Sequence, residues 1–338
     1  MIKGKLTASL LPNSQWFCQY TQIGVAMATY LITGGAGFIG SHIVQALLQR
    51  GEKVRVLDNF ATGKRENIKP FLDRIELFEG DIRSYHIVRE AVAGVDFVLH
   101  QAALPSVPRS VRDPITSNEV NVVGTLNMLD AARDAKIKRL VYASSSSIYG
   151  DLETLPKTED MLPKPLSPYA VAKLAGEKYC QVFTSIYNLE TVSLRYFNVF
   201  GPRQDPYSQY SAVIPKFVDM IHNGQQPVVH GDGEQSRDFT YVGNVVHANL
   251  LACEAGLEKL PGEVFNIACG RRITINTLIQ YINELLGTQI EAHYSSPRAG
   301  DVKHSLANIG KARQFLGYEP QIDFRSGLEK VVQWMTGE

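Results

Sequence analysis

TYLITGGAGFIGSHIVQALLQRGEKVRVLD, residues 29–58, is the stretch that decides the fold. It opens on a β-branched apolar run, TYLIT (Thr29–Thr33), which reads as a buried strand. A glycine-rich turn follows. From Phe38 to Arg50, Ile39, Ile43, Val44, Leu47 and Leu48 recur at helical spacing. KVRVLD (Lys53–Asp58) then returns to strand. Strand, helix and strand in so short a span form a βαβ unit, with a right-handed crossover and parallel pairing.

The turn between the first strand and its helix carries Gly34-x-x-Gly37-x-x-Gly40. Gly34 permits the tight turn, Gly37 lets the backbone approach a pyrophosphate, and Gly40 lets helix and strand pack closely. The helix N-terminus offers unpaired N–H groups and a partial positive charge to phosphates. Asp58 ends the second strand, 18 residues after Gly40. A carboxylate there accepts hydrogen bonds from the ribose hydroxyls of NAD and repels the extra phosphate of NADP. Lys64 and Arg65 follow and would suit NADP. Asp58 outweighs them because it stands at the strand end, where the ribose lies.

The alternation continues outward. RIELFEG (Arg74–Gly80), VDFVLHQAA (Val95–Ala103), RLVYASS (Arg139–Ser145) and TVSLRY (Thr191–Tyr196) read as further strands. Residues 118–135 and 168–187 read as long helices. The expected fold class is α/β, a Rossmann-type doubly wound parallel sheet with a smaller α+β C-terminal substrate domain. The expected boundaries are an N-terminal extension over 1–27, an NAD-binding domain over 28–198 and a substrate-binding domain over 199–338. The chain is expected to return to the first domain around 238–268.

Composition bounds the function. The chain has 338 residues, enough for roughly two domains. Lys+Arg and Asp+Glu are both 34, so the formal charge is zero, which argues against nucleic-acid binding. No apolar run approaches the roughly 18 residues of a membrane span. Cys18, Cys180, Cys253 and Cys269 form no C-x-x-C pair, so reduced thiols in a cytoplasmic protein are expected rather than disulfides or zinc. The histidines show no metal-ligand spacing such as H-E-x-x-H, so no metal is expected. Lys3 and Lys5 ahead of Leu10 and Leu11 outline a signal peptide, but Pro12 and Asn13-Ser14-Gln15 break it. A surface extension and a translation start at Met27 remain alternative readings of this stretch.

SPYAVAK sets Tyr169 and Lys173 four positions apart, on one helix face. Ser167 suits the N-cap and Pro168 the first turn. A free tyrosine has a pKa of about 10 and is a poor base at neutral pH. A neighbouring ammonium and the positive ring of NAD⁺ would both favour its phenolate. YASSSSIYG (142–150) runs past the carboxyl end of the fifth strand, where ligands of such sheets bind. A serine hydroxyl there can hydrogen-bond a substrate alcohol beside the tyrosine. Taken singly, these patterns also fit a surface helix and a serine-rich loop; taken together they are far more specific.

With these residues in place, the chain resembles the extended short-chain dehydrogenase/reductases, and within them the nucleotide-sugar 4-epimerases of the UDP-galactose 4-epimerase type. TGGAGFIGSH, LDNFATGK, GDIR, HQAA, NVVGT, YASSSSIYG, SPYAVAK, LRYFNVFGPRQ, RDFTYV and PRAGDVKHSLA resemble family motifs in the family's order. SVPRSVRDP and LDNFATGK are most similar to the UDP-N-acetylglucosamine 4-epimerase branch. The resemblance implies Ser145, Tyr169 and Lys173 as catalytic residues, with Ser146 as a neighbour sharing the substrate. It implies tightly bound NAD held by Gly34, Gly37, Phe38, Ile39, Asp58, Asn59, Asp81, Ile82, Ala102, Ala103, Asn121, Tyr169, Lys173 and Tyr196. It implies substrate contacts from Asn198, Arg237, Arg298 and Asp301, with the two arginines holding the UDP phosphates. Read without it, each arginine is a surface ion-pair member, with Asp238 and Asp301 as partners close in sequence. Ser305 matches a position gating pocket size, where a small side chain leaves room for a 2-acetamido group.

The implied reaction is redox-neutral inversion at C4 of a UDP-hexose through a 4-keto intermediate, with UDP-N-acetylglucosamine the first choice and UDP-glucose or UDP-glucuronate the alternatives. Related 4,6-dehydratases carry an acidic pair straight after the catalytic serine, where this chain has Ser146 and Ser147. A decarboxylase and a catalytically silent NAD-binding regulator are the remaining alternatives. The family also implies a homodimer, with residues 118–135 and 168–187 of two copies forming a four-helix bundle.

Overall fold

The computed structural model describes residues 27–206, 213–256, 262–297 and 303–337. Residues 1–26, Arg298 and Asp301 therefore lie outside the described residues. Six parallel strands appear in order: β1 (Thr29–Thr33), β2 (Lys53–Asp58), β3 (Ile75–Glu79), β4 (Phe97–His100), β5 (Arg139–Ser145) and β6 (Thr191–Tyr196). Glu263–Ile267 pairs in parallel with β6 as a seventh strand. The spatial order is Glu263–Ile267, β6, β5, β4, β1, β2, β3, so the winding reverses between β1 and β4. Each of the two sheet faces carries its own apolar cluster, one around Ile32, Val141 and Leu194, the other around Leu31, Leu99's neighbour Val98, and Leu140. Burial on both faces explains why these strands read as continuous apolar runs.

Two elements depart from the sequence expectation. β4 is Phe97–His100 rather than Val95–Ala103. Past His100 the chain turns onto the end of β1, where Gln101 N donates to Thr33 O at 3.2 Å and Ala102 N to Thr33 Oγ1 at 3.1 Å. The helix expected over 118–135 starts earlier, at Pro114, and is interrupted by a π turn over Glu119–Val123 before continuing as Gly124–Asp134. The wide turn accompanies a buried anchor: Asn121 accepts from Leu104 N at 2.7 Å and donates to Leu104 O at 3.1 Å.

The second lobe has a separate apolar core that includes Phe200, Phe217, Phe239, Leu278 and Val332. Asp238 ties it to the sheet. Its side chain is fully buried, and it accepts from Cys269 N (3.0 Å), Gly270 N (3.0 Å) and Ala307 N (3.2 Å). The expectation that Asp238 partners an arginine is thereby corrected: its oxygens are committed to backbone N–H groups. Burial pushes its pKa up to about 6, against the pull of those same donors. Asp238→Ala would take the partner from these three backbone donors, at a cost on the order of 3 kcal/mol. Thermal unfolding of this variant should show a Tm lowered by several degrees, with Asp238→Asn only partly restoring it.

Candidate functional site

The carboxyl ends of β1 to β6 share one edge of the sheet, and a cavity of about 840 Å³ runs along it. Of the expected cofactor residues, Gly34, Gly37, Phe38, Ile39, Asp58, Asn59, Asp81, Ile82, Ala102, Ala103, Tyr169, Lys173 and Tyr196 line this cavity. Asn121 stands behind the wall, holding the backbone of Leu104, which does line it.

The glycine turn has no room for side chains. A Cβ on Gly40 would stand 2.1 Å from the Gly34 carbonyl oxygen, and one on Gly34 2.8 Å from Ala102 N. Gly34 also has φ +68°, the left-handed region that glycine adopts without strain. The helix Phe38–Gln49 starts with no side-chain cap, so its first N–H groups are left for a ligand. Asp58 is buried and accepts from Ala36 N at 2.9 Å and Phe60 N at 2.8 Å. Each oxygen keeps acceptor capacity for a hydroxyl. Lys64 reaches Asp205 at 3.0 Å and Arg65 reaches Glu79 at 2.5 Å, so both nearby cations are engaged by carboxylates. Asn59 and Arg83 both bond Asp81, whose pKa Arg83 holds down. A dinucleotide fits this cradle: a bare backbone for the pyrophosphate, a buried carboxylate for the ribose, and Asp81 and Ile82 on the cavity wall for the base.

At the far end of the cavity the helix Pro168–Tyr187 begins. Ser167 caps it by accepting from Ala170 N, and Tyr169 N donates to Ser110 Oγ at 3.1 Å. Lys173 is buried; its ammonium donates to Ala143 O at 2.8 Å and lies 6.0 Å from the centre of the Tyr169 ring. Burial lowers the Lys173 pKa to about 8. Burial also raises that of Tyr169, while the Ser145 hydroxyl, hydrogen-bonded to it, pulls the other way. Of the two cations expected to favour the phenolate, the Lys173 ammonium and the NAD⁺ ring, the lysine alone does not offset the effect of burial. His100 is packed between Thr33 (2.7 Å) and Thr125 (3.1 Å), and burial lowers its pKa to about 3, so it is neutral.

Ser145 closes β5 and caps the short helix Ser146–Tyr149 by accepting from Ser147 N at 3.2 Å. Asn198 has φ +33° and donates to Asp238 O at 3.3 Å, placing it at the junction of the two lobes. Arg237 and Ser305 are brought together: Ser305 N donates to Ser236 O at 3.0 Å, and Arg237 donates to Lys303 O at 3.2 Å. Gln101 lines the cavity and was not singled out in the sequence. It bonds Tyr196 and Asn249, and its only signal was its place in HQAA.

A model of the NAD dependent epimerase/dehydratase family matches residues 30–268. A putative UDP-glucose 4-epimerase of Methanocaldococcus jannaschii is 40% identical over 307 residues, 90% of this chain and 97% of that protein. Among solved structures, a UDP-N-acetylglucosamine 4-epimerase of Methanobrevibacter ruminantium in complex with UDP-N-acetylmuramic acid has a TM-score of 0.88 at 40% identity, covering 93% of this chain and 99% of that one. A Thermus thermophilus UDP-glucose 4-epimerase in complex with NAD has a TM-score of 0.82 at 38% identity, covering 91% and 99%.

Gly40→Ala should drive the helix away from the Gly34 carbonyl. The purified variant is expected to lose bound NAD, read as the loss of nicotinamide absorbance and of adenine released on denaturation.

Proposed function

Because the chain belongs to the NAD dependent epimerase/dehydratase family, we propose that it is an NAD-dependent UDP-sugar 4-epimerase, an isomerase, acting on UDP-N-acetylglucosamine and UDP-N-acetylgalactosamine. The observation that carries the reading is the placement of Tyr169 and Lys173 on the wall of the dinucleotide cavity with the Ser145 hydroxyl hydrogen-bonded to Tyr169, and serines at 146 and 147 where a dehydratase needs acids.

When bound, NAD would supply the hydride acceptor and a positive ring charge. The chain's residues supply the rest. Tyr169 takes the proton of the C4 hydroxyl, and Ser145 hydrogen-bonds the same oxygen and steadies the phenolate. Lys173, anchored on Ala143 O, holds a cation behind the ring and a donor for the ribose. Accepting and returning the C4 hydride would be the cofactor's part; Tyr169 gives the proton back once the 4-keto sugar has turned about its diphosphate linkage. Arg237, with Arg298, is assigned to the diphosphate, where a guanidinium meets phosphate oxygens bidentately. Asn198, at the lobe junction, is assigned to the diphosphate as well. Asp301 is assigned to the uridine ribose. Ser305, beside the Ser236–Arg237 strand, leaves space for the acetamido group.

The assembly proposed is a homodimer. Val111, Ile115 and Val123 are exposed, as are Val171, Val182 and Ile186 on the neighbouring long helix. The last three sit at spacings that return to one helix face. A second copy applied there would form the four-helix bundle. No helix among the described residues is long and apolar enough to cross a membrane.

Purified protein given UDP-N-acetylglucosamine and no added NAD should form UDP-N-acetylgalactosamine, resolved by anion exchange. Silence with NAD added would remove this substrate, and a keto product would replace the reaction. Tyr169→Phe should lower kcat by about a thousandfold or more while NAD stays bound. For the assembly, Val182→Asp with Ile186→Glu should halve the mass measured by light scattering.

A further inference from the structure

Behind the cavity wall lies a buried ion pair that the reaction does not use directly. Glu177 is 1% exposed and Arg195 3%. Arg195 Nε donates to Glu177 Oε1 and its terminal nitrogen to Oε2, each at 2.9 Å. Oε1 also accepts from the hydroxyl of Ser144. Ser144 and Arg195 are register partners across β5 and β6, so one carboxylate clamps both strand ends from the helix above. Ser144 directly precedes Ser145, and Glu177 lies one turn beyond Lys173 and two beyond Tyr169 on the same helix.

The contacts continue away from the site. The other terminal nitrogen of Arg195 donates to Tyr149 OH at 2.8 Å, and that hydroxyl donates to Asn266 Oδ1 at 2.7 Å. Asn266 in turn donates to Lys157 O at 3.0 Å and Asn308 O at 3.3 Å. Asn308 is three residues from Ser305.

We propose that Glu177 and Arg195 are a positioning pair: they fix Ser145 against Tyr169 and Lys173, and tie that setting to the segment bearing Ser305. The proposal rests on the reading of the reaction given above and deepens it. Stability is a poor reason for such a pair. Desolvating two charges offsets most of their attraction, and well-packed apolar side chains of similar volume often serve as well or better. Geometry is a better one, since small misplacements of reacting groups cost large factors in rate. The pair also touches the charge of Lys173, which is faced by His100 from β4, Tyr142 from β5, and Tyr169, Glu177 and Cys180 from its own helix. Burial lowers the Lys173 pKa, and Cys180 and then Glu177 raise it against that larger effect. Removing the Glu177 charge should lower it.

Three measurements test this. Glu177→Gln should reduce kcat by about 10- to 100-fold with KM little changed, and Glu177→Asp should recover part of the loss. In protein labelled with [13Cε]lysine, with Lys173→Met assigning the signal, the Lys173 titration should move to lower pH in Glu177→Gln. The double variant Glu177→Met with Arg195→Met should unfold at or above the wild-type Tm yet stay slow, and it decides the matter if the single variant does not fold. Wild-type kcat in the double variant, or an unmoved Lys173 titration, would overturn the proposal. Should the wild-type protein convert no UDP-sugar, the reading of the reaction fails, while the Lys173 titration still reports whether Glu177 acts on the site.

Discussion

The rest of the structure depends on one close approach of backbone to backbone. Gly40 packs against the Gly34 carbonyl so tightly that a Cβ would come within 2.1 Å of the oxygen. This contact seats the first helix directly on the end of β1, at the point where the sheet's winding reverses. There the helix N-terminus opens onto the cavity. Asp58 on β2, Ala102 past β4, and Ser144 on β5 line the same cavity because parallel strands bring all their carboxyl ends to one edge. The site is therefore a consequence of the sheet's direction as much as of any side chain in it.

That part was legible in the sequence. β1, β2, β5, β6 and the helix Pro168–Tyr187 fall where their apolar patterns and caps place them, because local pattern and tertiary burial agree. The boundaries shifted where tertiary contacts overrode pattern. VLHQAA is apolar enough to read on as strand past His100, but Thr33 draws the chain out of the sheet to line the cavity. A regular helix was expected through Asn121, yet that side chain is pinned to Leu104 and the helix widens into a π turn around it.

The electrostatics were less legible. Spacing placed Lys173 on the same face as Tyr169, but periodicity carries no information on burial. Burial raises the tyrosine pKa and lowers that of the lysine, so the pair by itself does not favour a phenolate. On the proposed mechanism the charge that favours the phenolate arrives with the bound dinucleotide. Likewise the Glu177–Arg195 pair joins residues distant in sequence, and no short motif announces it. Asp238 sat beside Arg237 in sequence and looked like its partner. In the fold it serves backbone N–H groups from Cys269, Gly270 and Ala307 instead, because its side chain points into the lobe junction.

The central claim is that C4 is inverted by removing and returning the same hydride within one site. It is tested most directly with UDP-N-acetylglucosamine deuterated at C4, turned over in ordinary water and analysed by NMR and mass spectrometry. The account predicts that UDP-N-acetylgalactosamine keeps its deuterium at C4, with no hydrogen taken from solvent at that carbon. Deuterium washed out to solvent, or moved to another carbon of the sugar, would contradict it.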